Sequence, residues 1–66
     1  MYVDIWYDRT SRSWYATLRD ANGFEVADSV YGYTMDDAKI GALNEGWGEY
    51  EFYKDVERNG FKKRLN

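Results

Sequence analysis

The sequence has no cysteine, no histidine and no proline. Without cysteine there is no disulfide, no thiolate metal site and no thiol nucleophile. Without histidine the usual general base and the commonest metal ligand are both missing. Gly41, Gly46 and Gly48 match no phosphate-cradling motif, and no stretch has the ligand spacing of a calcium loop. No run of residues resembles a signal peptide or a membrane span. Asn22-Gly23 and Asn59-Gly60 are the only strong turn dipeptides, and there is no internal repeat. The expectation is one soluble, cytoplasmic domain over 1–66, ending in a basic tail, 61–66, that frays.

One stretch carries a helix period together with a start and a stop. In Tyr31 to Trp47 (YGYTMDDAKIGALNEGW), Thr34 is an N-cap candidate, because its hydroxyl can accept from an orphaned amide of the first turn. Asp36 and Asp37 suit the positive end of the helix dipole. Met35, Ala38 and Ala42 form one apolar row, and Ile40, Leu43 and Trp47 a second. Gly46 is the natural stop.

The chain before this helix reads as sheet. Tyr2 to Tyr7 and Ser13 to Asp20 alternate as strands, joined by the polar loop Asp8 to Arg12. Asp20-Ala21-Asn22-Gly23 reads as a hairpin turn, with Phe24 to Val30 as a third strand. Alternation assigns Val3, Ile5, Tyr7, Trp14, Ala16, Leu18, Phe24 and Val26 to the helix-covered face. Tyr2, Trp6 and Tyr15 then lie on the opposite face. Glu49 to Arg58 fits a strand or a short amphipathic helix, and its aromatic content favours the strand. The predicted fold class is α+β: a small antiparallel sheet (β-β-β-α-β) with one main helix packed on one face.

A chain of 66 residues buries only about 60% of its unfolded surface, so aromatic residues must supply much of the core. There are three Trp, seven Tyr and three Phe, more than one helix and one sheet face can cover. The surplus rings stack across strands or serve as a binding surface, since exposed Tyr and Trp bring large area at low entropic cost.

Charge is unevenly placed. From Asp20 to Tyr53 there are eight acids, Asp20, Glu25, Asp28, Asp36, Asp37, Glu45, Glu49 and Glu51, against Lys39 alone. The flanking segments are net basic. Asp36 and Asp37 diverge by about 100° on a helix, so they cap and solvate rather than converge on a substrate. The reading is of a protein that is not an enzyme and holds no cofactor or metal. Its acids either solubilise it or steer a basic partner and repel nucleic acid. Candidate partner-binding residues are those eight acids, with Tyr31, Tyr33 and Trp47 as anchors. A sheet face with Tyr2, Trp6 and Tyr15 near Arg9, Arg12 and Arg19 is the alternative, a single-strand nucleic-acid platform.

Trp14-Tyr15-Ala16-Thr17, Phe24-Glu25-Val26 and Thr34-Met35-Asp36-Asp37-Ala38 resemble the layout of the short phage inhibitors of bacterial RNA polymerase. The same plan is similar to HicB-type antitoxins, over Ser13 to Ala42. The added DNA-binding segment of those antitoxins has no counterpart, and no functional residue carries over from either family. A short, acidic, cysteine-free, aromatic-rich α+β chain resembles, in kind, the anti-CRISPR inhibitors of type I effectors. That resemblance implies a monomeric phage or mobile-element protein in the cytoplasm of an infected bacterium. It would occupy a basic, nucleic-acid-binding surface of a CRISPR ribonucleoprotein effector and keep target DNA off. The alternative is inhibition of another host enzyme such as RNA polymerase.

Overall fold

The computed structural model describes residues 1–54 and 63–65. The elements in order are β1 (Tyr2–Asp8), β2 (Ser13–Arg19), β3 (Val30–Gly32), α1 (Met35–Asn44), β4 (Glu51–Lys54) and β5 (Lys63–Arg64). The strands form one sheet in the order β3-β2-β1-β4-β5, with the helix packed on one face. The class is α+β.

The sheet is mixed rather than antiparallel. β4 joins β1 in parallel, Val3 facing Phe52, while the other pairs are antiparallel. The helix is the reason. It carries the chain from β3, at one edge, over β2 and β1 to β4. A crossover of that kind returns the next strand in the same direction, which a tight turn cannot do.

The third strand is shorter and later than alternation predicts. Arg19 forms an isolated bridge with Glu25, whereas Ala16 faces Val30, so two extra residues bulge between these points. Ser29 lies in the bulge and turns its hydroxyl to that of Thr17, 2.7 Å away. Phe24 and Val26 consequently miss the helix and are 69% and 45% exposed, contrary to their predicted burial. The turn before them is where the sequence places it: Asp20 accepts from the amides of Asn22 and Phe24.

The core comprises Val3, Ile5, Ala16, Leu18, Ala38, Ala42, Trp47 and Phe52. From the helix only Ala38 and Ala42 are fully buried, with Gly41 against Val30. These small residues let the helix lie close to the sheet. The predicted second apolar row therefore faces outward at Ile40 and Leu43, both more than half exposed. Trp47, its third member, turns inward. The helix ends in a Schellman arrangement: the Gly46 amide donates to the Leu43 carbonyl and the Trp47 amide to that of Ala42. Gly46 adopts φ 87°, which glycine alone takes without strain, and Trp47 follows it into the core.

In the stretch read as a strand, β4 takes Glu51–Lys54, and Asp55 to Arg58 lie outside the described residues. Of the tail expected to fray, Lys63 and Arg64 pair with β4. Leu65 donates its amide to the Phe52 carbonyl and packs on the core.

Two substitutions test this packing. A methyl group on Gly32 would stand 2.5 Å from Asp37 Cβ and 2.7 Å from the Ala38 amide nitrogen. Gly32→Ala must push the helix start away, and urea unfolding should show a loss of about 1–3 kcal/mol. Arg12 closes the β1–β2 loop at φ 56°. Arg12→Gly relieves that left-handed strain, so urea unfolding should show a gain of up to about 1 kcal/mol.

Candidate functional site: an aromatic row bordered by acids

The sheet face away from the helix is built around a buried ion pair. Asp4 and Arg19 are 0% and 6% exposed, and Arg19 Nε donates to Asp4 Oδ2 at 3.1 Å. Arg19 Nη1 also donates to the Gly23 carbonyl, tying the turn to the sheet. Beside them, Thr17 is fully buried and bonded on both sides. Trp6 Nε1 donates to its Oγ1 at 2.9 Å, and Ser29 Oγ lies on its other side.

Over this polar floor runs a row of rings. The strand register aligns Trp6, Tyr15 and Tyr31 across β1, β2 and β3. Trp6 and Tyr15 stack at 5.0 Å with planes 21° apart. Tyr15 and Tyr31 are 6.3 Å apart, and Tyr33 meets Tyr31 edge to face at 6.4 Å. Exposure grows along the row to 63% at Tyr31 and 80% at Tyr33. At its far end the chain bends into the helix. Thr34 caps that helix, accepting from the Asp37 amide at 3.1 Å, and Asp36 and Asp37 stand exposed in the first turn.

The eight acids do not share one face. Asp36 and Asp37 lie where β3 ends, and Asp28 lies in the bulge before β3. Glu45, Glu49 and Glu51 gather at the opposite end, where the helix stops and β4 begins beside Tyr2. About 14 Å of helix axis separates Asp36 from Glu45. Asp20 uses its carboxylate on its own turn, and Glu51 is held by Arg64 at 3.2 Å and by the Tyr53 hydroxyl at 2.7 Å. Glu25, Asp28, Asp36, Asp37, Glu45 and Glu49 are exposed and have no ion pair among the described residues.

Tyr31 and Tyr33 are thus placed as accessible anchors, but Trp47 is not. At 7% exposure it belongs to the core, because the Schellman turn folds it under the helix. Arg19, counted with Arg9 and Arg12 as a cation for phosphate, is locked on Asp4. The buried polar group of Asp4, Thr17, Arg19 and Ser29 was missed in the sequence. Its signal was there: an Asp and an Arg on the non-core positions of two strands joined by a short loop are diagonal neighbours once those strands pair.

Among the described residues no group of three or more acidic side chains is arranged to hold a metal ion. No described helix is long and apolar enough to cross a membrane. Compared with known proteins, the chain matches no family model, no curated protein and no solved structure.

One titration follows from the β4 end. The hydrogen bond to the Glu51 carboxylate raises the Tyr53 pKa above its ordinary value of 10.0, with partial burial and the Glu51 charge adding to it and Arg64 opposing. The bond is made by the neutral phenol, so its contribution to stability is present below pH 10 and is lost as pH rises through the raised pKa. Ultraviolet titration of tyrosinate should show Tyr53 ionising at higher pH in the parent chain than in the Glu51→Ala variant.

Proposed function

We propose that this protein is a stoichiometric inhibitor that binds a basic, nucleic-acid-binding surface of a partner protein, acting by occupancy rather than catalysis. The observation that carries this reading is the corner between β3 and α1. There two strongly exposed tyrosines, Tyr31 and Tyr33, lie between Asp28 and the pair Asp36 and Asp37 in the chain, three exposed acids with no ion pair among the described residues. Large exposed rings supply contact area, and uncompensated acids supply steering toward a basic surface and repulsion of phosphate. The first partner to test is a CRISPR effector complex in the cytoplasm of a bacterium infected by a phage that encodes the protein. Bacterial RNA polymerase is the second.

The single-strand nucleic-acid reading is weaker on the same geometry. Trp6 and Tyr15 each give one ring face to the other, and Arg19 is committed to Asp4. Base stacking needs free ring faces, and phosphate needs free cations.

The experiment is capture from a bacterial lysate that contains an active CRISPR effector, with the tagged 66-residue chain as bait, at low and high salt. The expected result is salt-sensitive capture of effector subunits. The Asp36→Lys, Asp37→Lys double variant should weaken it by about tenfold or more, while Glu45→Lys with Glu49→Lys changes it far less. Capture indifferent to salt and to Asp36 and Asp37, or capture of nucleic acid alone, would remove the reading.

A further inference from the structure

We infer that the open end of the aromatic row, Tyr31 and Tyr33, is a docking surface for arginine side chains, presented by an extended segment of a protein partner. The inference rests on the inhibitor reading and deepens it, by naming the side chain that the partner must offer.

Three observations converge. First, the row is open: Tyr31 is 63% and Tyr33 80% exposed, and no described strand pairs with β3 on its outer side. Second, the rings are set at an angle to one another, 45° between Tyr15 and Tyr31 and 86° between Tyr31 and Tyr33. A run of rings whose planes turn in this way leaves ring faces pointing in more than one direction. Each free face is the negative side of the ring quadrupole and attracts a cation lying over it. Third, the charge close by in the chain is complementary. Asp28 lies before the exposed tyrosines in sequence, and Asp36 and Asp37 lie after them, all exposed and without an ion pair among the described residues.

Arginine fits this surface better than lysine. A guanidinium is planar, so it stacks on a tyrosine face while its edge donors reach a carboxylate. An ammonium is more strongly hydrated and loses more by leaving water. A row that relied on charge alone would not distinguish the two, so the preference for arginine is the signature of the rings. The border acids also argue against two other occupants. Phosphate is repelled. A second copy laid on the same row would bring its own acids against these three, and like charges face to face are unfavourable.

The test uses the full chain and three capped peptides: alternating arginine and serine, the lysine twin, and the glutamate twin. Tyrosine ring resonances are followed by NMR at two salt concentrations. The arginine peptide should shift the rings of Tyr31 and Tyr33. It should bind about threefold or more tighter than the lysine twin, with the ratio persisting at high salt where Coulomb attraction is screened. The glutamate twin should not bind. Tyr31→Leu with Tyr33→Leu should abolish the arginine preference while both cationic peptides retain weak, salt-sensitive binding. Tyr33→Leu alone, at the more exposed position, serves where the double variant is unstable, and should reduce the preference. Equal binding of the two cationic twins overturns the inference. So does a preference that survives loss of the tyrosines, shifts centred on Glu45 and Glu49, or self-association that broadens the same rings without peptide. Arginine selectivity with no capture from lysate would leave the surface standing and remove the inhibitor reading. Capture with no selectivity would do the reverse.

Discussion

The buried contact between Asp4 and Arg19 is the constraint on which the open face of this protein depends. Two opposite charges lie inside a chain of 66 residues, in a sheet whose other face is covered by the helix. An ion removed from water must be compensated by its partner and by further hydrogen bonds, or it is strongly destabilising. Here the two strands supply one member each, and the guanidinium reaches on to the Gly23 carbonyl. Sliding β1 against β2 by one residue would carry one charge to the apolar face and separate it from the other. The pair thus holds a single register. That same register aligns Trp6, Tyr15 and Tyr31 in a row.

The two faces of the sheet are built by opposite means. On the helix side, Ala38, Gly41 and Ala42 bring the helix close, and Gly32 passes under its first turn with no room for a side chain. That closeness pushes Ile40 and Leu43 outward and sends the crossover on to a parallel β4. On the other side a polar floor supports rings that no described element covers. Function is read from this second side because what stands there exceeds what the core needs. The exposed tyrosines contribute little burial, and the acids that flank them in the chain neutralise nothing among the described residues.

Much of the fold was legible in the sequence. Strand alternation placed Val3, Ile5, Ala16 and Leu18 in the core. Thr34 and Gly46 marked the helix ends, and Asn22-Gly23 marked the turn. Local rules govern such features, so local patterns reveal them. The departures arose where a distant residue decided. Phe24 and Val26 alternate correctly but lie beyond the reach of a short helix. Ser29 bulges the third strand toward Thr17, and the crossover, not the β-content, sets the direction of β4. Of the candidate site, exposure of Tyr31 and Tyr33 was legible from aromatic surplus. Trp47 was read both as a member of an apolar row and as an anchor, and the path the chain takes after Gly46 decides for the first. The separation of the acids into two ends was not legible, since charge counted along a sequence is blind to which way a helix points.

A double-mutant cycle on the ion pair tests this account most directly. Asp4→Ala, Arg19→Ala and the double variant would be unfolded in urea with a stabilising osmolyte present, so that every member has a folded baseline. The Trp6–Tyr15 stacking signal would be followed by circular dichroism in the same samples. Each single change should cost about 3 kcal/mol or more, because it removes one member of a buried ion pair and leaves the other under-compensated. The double change should cost less than their sum by about 2 kcal/mol. The stacking signal should weaken in both single variants. Costs that add within about 0.5 kcal/mol, with the stacking signal intact, would contradict the claim that this pair sets the register on which the aromatic row stands.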